Sequence, residues 1–138
     1  MEINSTSVLG YLRFLLLAKL RAIRPYGIRY QDEQTQIESW LALIVEATKV
    51  SPEFALEVAE CARLIKGYGD THARGSSNYR TIVERAIRPA IAGQIPPDRA
   101  ADAVASARTA ALVDPEGESL TKCLSELGSA GDFRIAAE

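Results

Sequence analysis

Apolar residues recur along this chain at three- and four-residue spacing, and no stretch alternates apolar and polar positions long enough to argue for a strand. The spacing predicts a first helix from near Ser5 or Ser7, with Val8, Leu12, Leu15, Leu16, Leu20 and Ile23 on one stripe. Pro25 stops it, because the residue before a proline is pushed out of helical geometry. A second helix from near Asp32 places Ile37, Trp40, Leu41 and Ile44 on one face. The clearest boundary is Ser51-Pro52-Glu53: Ser51 caps, Pro52 fits the first helical position and Glu53 complements the dipole. A third helix then runs to Lys66, stacking Phe54, Val58, Cys61 and Ile65, with Leu56, Ala59 and Leu64 widening the apolar surface. That breadth marks it as the central helix, and Gly67 suits a left-handed ending.

The pattern continues from Ser76 or Ser77 into a fourth helix, which turns Tyr79, Ile82, Val83, Ala86 and Ala90 inward. Pro89 should end or kink it. After the turn "GQIPPD", Asp98 caps a fifth helix whose Ala101, Val104, Ala107, Ala111 and Leu112 form a small-residue surface open to close approach. "DPEGE" is a break. Leu120, Cys123, Leu124 and Leu127 predict a short sixth helix, and "GSAGDFRIAAE" reads as a frayed tail. The fold class expected is all-α, a single compact bundle of about five to six helices, with residues 1–115 as the bundle domain and 116–138 as short helix and tail.

Composition narrows the function classes. The 138 residues suit one domain, and 47% apolar with 25% charged residues lies in the globular range. A net charge of −2 supplies no global field for nucleic acid or an anionic membrane. The charge is uneven: residues 1–30 hold five Lys/Arg against one acid, and residues 98–138 hold four against eight. Tyr26 and Tyr30, in a turn with Arg24 and Arg29, form either a patch for a protein partner or packing against the second helix. Neither cysteine belongs to a CxxC pair and there is one histidine, so no zinc or iron–sulfur ligand set of about four residues exists and no metal or cofactor is expected on this chain. Unpaired cysteines suit a reducing cytoplasm. The apolar run from Val8 to Ile23 carries Arg13, Lys19 and Arg21 and falls short of the ~20 apolar residues of a span, so no membrane and no secretory signal are expected.

Chemistry-bearing residues crowd into one place, "LIKGYGDTHARG" from Leu64 to Gly75. The candidate site is Lys66, Gly67, Tyr68, Gly69, Asp70, Thr71, His72, Arg74 and Gly75. Gly67, Gly69 and Gly75 are suited to positive φ and to bringing amides near a ligand, with Lys66, His72 and Arg74 supplying positive charge. A helix start at Ser76-Ser77 would add its orphan amides. The spacing matches neither a P-loop nor a dinucleotide fingerprint. Asp70 and His72 form a conceivable acid/base pair, with no nucleophile visibly placed beside them. Three readings stay open: an interhelical loop in which Asp70 caps amides and Lys66 or Arg74 pairs with acids, a subunit contact, and a site for a small anion.

The segments "TSVLGYLRFLLLAKLRAIRP", "RYQDEQTQIESWL", "FALEVAECARLIKGYGD" and "RLIKGYGDTHARGSSNY" occur in an order that resembles the helical C-terminal region of the indolepyruvate ferredoxin oxidoreductase beta-subunit family. The resemblance runs from about Asn4 to Ile91, and the loop is its most specific part. It implies membership of a two-subunit enzyme that oxidatively decarboxylates arylpyruvates, with coenzyme A and ferredoxin as acceptors. Thiamine diphosphate and the iron–sulfur clusters are then expected on the larger subunit only. "GYGD" is not the GDG-type thiamine signature, so no catalytic residue is carried over. The function implied is a non-catalytic helical interaction or accessory domain whose partner is the large oxidoreductase subunit or a second copy. The alternatives are a module holding a coenzyme A phosphate or a carboxylate on the cationic loop, and a small enzyme using Asp70 and His72.

Overall fold

Ser51 sets the geometry from which the fold is built. Its extended backbone (φ −161°, ψ 155°) lets its hydroxyl accept the Phe54 N–H at 3.0 Å, and Pro52 follows at the first helical position. Such a cap stabilises a helix by about 1 kcal/mol. The computed structural model describes Lys19 and residues 28–130, with backbone alone at 28–30, 129 and 130. Among the described residues the regular structure is helical throughout: α1 Ile28–Thr48, α2 Pro52–Glu60, α3 Asp70–Ile82, α4 Pro97–Val113 and α5 Glu118–Ala130. A 3₁₀ turn, Cys61–Leu64, prolongs α2, and a π turn, Val83–Ile87, carries α3 into a last helical turn, Arg88–Ile91. The protein is all-α. No helix among the described residues is long and apolar enough to cross a membrane.

The chain divides into two units, Met1–Ser39 and Trp40–Glu138, with the boundary inside α1. In the first unit the described part is the opening of α1, where Ile37 is exposed. The first predicted helix lies outside the described residues except for Lys19, as do the side chains of Arg24, Tyr26, Arg29 and Tyr30. Tyr30 belongs to α1 and not to a turn, because that helix starts at Ile28 instead of near Asp32.

In the second unit, α2 and its 3₁₀ extension supply Phe54, Val58 and Cys61 at zero exposure, meeting Ile82, Ile87, Val104 and Leu120. Burying a side chain of this size stabilises by roughly 1.5–3 kcal/mol. α2 and α5 both pack on α4, whose inner face is Ala100, Ala103, Val104, Ala107 and Ala111. Alanines there let neighbouring helices approach closely. Val104, Ala107 and Ala111 of the expected face are buried, and only its margin differs: Ala101 is half-buried and Leu112 exposed, while Ala100 and Ala103 are buried, because the neighbours of α4 lie over the 100/103/107 line. Leu41 and Leu56 are likewise exposed where the pattern placed them inward, Leu56 at 61%. In α1 the packed side is Trp40, Leu43, Ile44 and Ala47, and the Trp40 indole donates to the Val58 carbonyl at 3.3 Å.

Of the end or kink expected at Pro89, the structure shows no end there: the helix passes through a π turn and runs on to Ile91. The proline ring crowds the carbonyl four residues back and the residue has no N–H to give, and the chain widens into the π turn just before it, where the Arg88 N–H donates to Val83. Gly93, at φ +77°, then closes the helix.

Candidate functional site

The site begins where the 3₁₀ turn runs out. Ile65 (φ −89°, ψ 80°) sits at the centre of an inverse γ-turn, with the Lys66 N–H donating to the Leu64 carbonyl at 3.1 Å. Gly67 (φ +86°) and Gly69 (φ +58°) then take left-handed conformations that favour glycine. These two glycines reverse the chain within five residues, and α3 starts at Asp70.

That start is six residues earlier than the serines predicted. Asp70, Thr71, His72, Ala73, Arg74 and Gly75 are its first two turns, opened by the Ala73 N–H donating to Gly69 at 3.0 Å. No side chain caps this end; Asp70 stands in the first turn, where its carboxylate complements the dipole. The sequence pattern missed this because Gly75, expected at positive φ, is an ordinary helical residue. Its role is different: a Cβ at Gly75 would run into the Leu64 carbonyl oxygen. Glycine lets α3 lie directly on the backbone that leads into the turn.

A second contact locks α3 from behind. Asn78, the one buried polar residue among those described, donates through its amide to the Pro115 carbonyl at 3.0 Å. Arg74 pairs with Glu116. Gly117 (φ +88°) passes so close that a Cβ there would sit 2.8 Å from the Asn78 Oδ1. The same break is fixed at its start by Asp114, whose carboxylate accepts the Ser119 N–H at 2.8 Å and the Glu116 N–H at 3.1 Å. Those hydrogen bonds, Ser119 first, hold the Asp114 carboxyl below its ordinary pKa. Sequence reading passed over Asn78 and the "DPEGE" contacts; the available signal was a polar residue four positions before Ile82 on an otherwise apolar stripe.

The predicted site residues therefore divide. Gly67, Gly69 and Gly75 build the frame, and Arg74 is engaged by Glu116. Lys66, Tyr68, Asp70 and Thr71 face solvent, Tyr68 at 90% exposure, and His72 is half-buried. Asp70 and His72 are two apart on one helix, a spacing at which side chains do not face each other.

A further polar group lies away from this turn. Arg108 of α4 reaches α2 with its Nη2 2.9 Å from Glu57 Oε2, without hydrogen-bond alignment, and its Nη1 3.7 Å from Glu60 Oε2. Beside them, burial pushes the Cys61 thiol up to about 12; Arg108 pulls it down, and Glu57 and Glu60 push it further up. Tyr79 is also raised to about 12, by burial and then by Cys61. A thiol so protonated is a packing group and not a nucleophile. Among the described residues no three His, Cys, Asp or Glu side chains gather as a metal site.

Compared with known proteins, the chain matches one family model, described as a family of unknown function (DUF6537), over residues 2–85. No curated protein and no solved structure matches it.

Proposed function

The chain belongs to DUF6537, a family of unknown function, and we propose that it is a non-catalytic helical interaction domain of an indolepyruvate-type (2-oxoacid) ferredoxin oxidoreductase. The resemblance of its loop to that enzyme's beta subunit motivates the assignment, and one structural observation supports it. The turn is rigidly backed and outwardly armed: Gly75 lies on the Leu64 carbonyl and Asn78 holds Pro115, while Lys66, Tyr68 and Thr71 stand in solvent. A fixed backbone beneath exposed side chains suits docking, since little ordering entropy is lost on contact. Thiamine diphosphate and the iron–sulfur clusters belong, in this reading, to the large partner subunit in the cytoplasm.

The same geometry weighs against a small-anion site on the loop. Arg74 is engaged by Glu116, and the acid Asp70 occupies the helix start where an anion would sit.

Purification of the tagged full chain from its own cells tests the proposal. A large thiamine- and cluster-bearing subunit should accompany it, and the eluate should reduce an artificial acceptor in the presence of indolepyruvate. Recovery of the chain without that subunit counts against the assignment; calorimetric binding of coenzyme A by the isolated chain would favour a ligand module instead.

A further inference from the structure

We propose that α5 is a strap, a helix that opens as a unit about Gly117 while α2, α3 and α4 stay packed. α5 packs on α4, whereas α4 is held in addition by α2, α3, the 3₁₀ turn and the π turn. The α5 side chains buried among those described are Leu120 and Leu124, and Cys123 and Leu127 are half-buried. The rest of its surface is in solvent. A helix with so small a share of the core, and with its backbone hydrogen bonds open to water on the outer side, belongs at the low end of a protein's opening free energies.

The chain leading into α5 has a fixed post and a hinge. Asn78 donates to the Pro115 carbonyl at 3.0 Å and Arg74 pairs with Glu116, so the turn is tied to α3 as far as residue 116. Both ties lie on the α4 side of Gly117. Gly117 stands at φ +88°, and its lack of a side chain leaves its dihedrals free to change when the chain beyond it moves. Residues at the ends of elements are where a hinge absorbs its rotation, and Gly117 immediately precedes the first residue of α5.

A clasp crosses the hinge. The Asp114 carboxylate, on the fixed side, accepts the Ser119 N–H in the first turn of α5 at 2.8 Å. Opening therefore releases one charge-assisted hydrogen bond and lifts Leu120 and Leu124 from the core cluster, while Phe54, Val58 and Val104 keep their packing. The result is a second state in which the part of α4 beneath those leucines meets solvent.

Hydrogen exchange of the full chain, read segment by segment in a urea series, tests this. In the wild type, amides of residues 119–128 should exchange together, about tenfold or more faster than the slowest amides of α2 and α4, and with a shallower dependence on urea because less surface is exposed. Val58→Ala removes a contact that the open state retains. It should speed the slowest α2 and α4 amides about tenfold or more and leave the α5 amides at the wild-type rate. Asp114→Ala breaks the clasp, which is lost in local opening and in global unfolding alike, so α5 and core amides should both speed up, by one common factor of roughly fivefold. If α5 and α4 amides in the wild type share one rate and one urea slope, α5 opens only when the bundle unfolds and the strap is wrong. Acceleration of α5 by Val58→Ala to the same degree as α2 overturns it equally.

Discussion

A glycine can be present for its dihedral angles or for the room it leaves, and the two roles look alike in a sequence. Gly67 and Gly69 serve the first, at positive φ; Gly75 serves the second, with no space for a Cβ against the Leu64 carbonyl oxygen. Reading all three as turn formers put the start of α3 six residues too late. Because the obstacle at Gly75 is backbone and cannot rotate away, Gly75→Ala should destabilise the protein by about 2 kcal/mol, in the range of an overpacked core. Gly128→Ala is the contrast. An added methyl there meets open space, and alanine is the better helix former, so it should gain up to about 1 kcal/mol. Urea unfolding of the pair measures both, and equal midpoints would mean that α3 does not bear on Leu64. The clustering of candidate residues at 66–75 was thus legible. What was hidden was a contact between backbones, which no side-chain pattern records.

At the level of elements, boundaries written in local chemistry were readable and those written in tertiary contact were not. Ser51-Pro52 announces α2 through a side-chain oxygen and a fixed φ, both properties of the residues themselves. The start of α3 has no side-chain cap; the helix is seated through Gly75 on the Leu64 backbone and tied through Asn78 to the distant Pro115. At Pro89 the sequence predicts an end or a kink, and the chain answers with a π turn upstream that lets the helix run on to Ile91. Asp114 fixes the approach to α5 through hydrogen bonds to Glu116 and Ser119 that the sequence expectation, a simple break, did not include, and its chemistry carries a pH dependence. Its carboxyl is held low in the folded chain, above all by the Ser119 N–H, so the unfolded chain takes up the proton first as pH falls. The stability Asp114 contributes is present above its ordinary value of 3.8 and lost as pH falls through the lower folded value. Wild type should therefore exceed Asp114→Ala at neutral pH and converge on it in strong acid, and parallel curves from about pH 5 to about pH 2 would exclude this role.

Across the whole molecule, the all-α class was legible because periodicity persists through every described segment, whereas which residue of a stripe is buried depended on how the helices meet. Arg108 shows the difference: as one arginine in an alanine-rich helix it signals nothing, yet it joins α4 to Glu57 and Glu60 across the α2 contact. Its side chain is 15% exposed and that of Glu57 21%, so Arg108→Ala should cost about 2 kcal/mol, below the 3–5 kcal/mol of a fully buried pair because some water remains. Cys61, beside this pair, makes the core sensitive to alkali. Folding raises its thiol from 9.0 to about 12 and the Tyr79 hydroxyl from 10.0 to about 12. Between those values the unfolded chain releases protons that the folded chain keeps, so stability is full below about pH 9 and falls steadily toward pH 12. Cys61→Ala should flatten the first part of that fall. Thiol labelling checks the same burial at neutral pH: the half-buried Cys123 should react in the folded protein and Cys61 only as fast as the protein opens. Labelling of both at one rate would show that the α2–α4 contact is open to solvent.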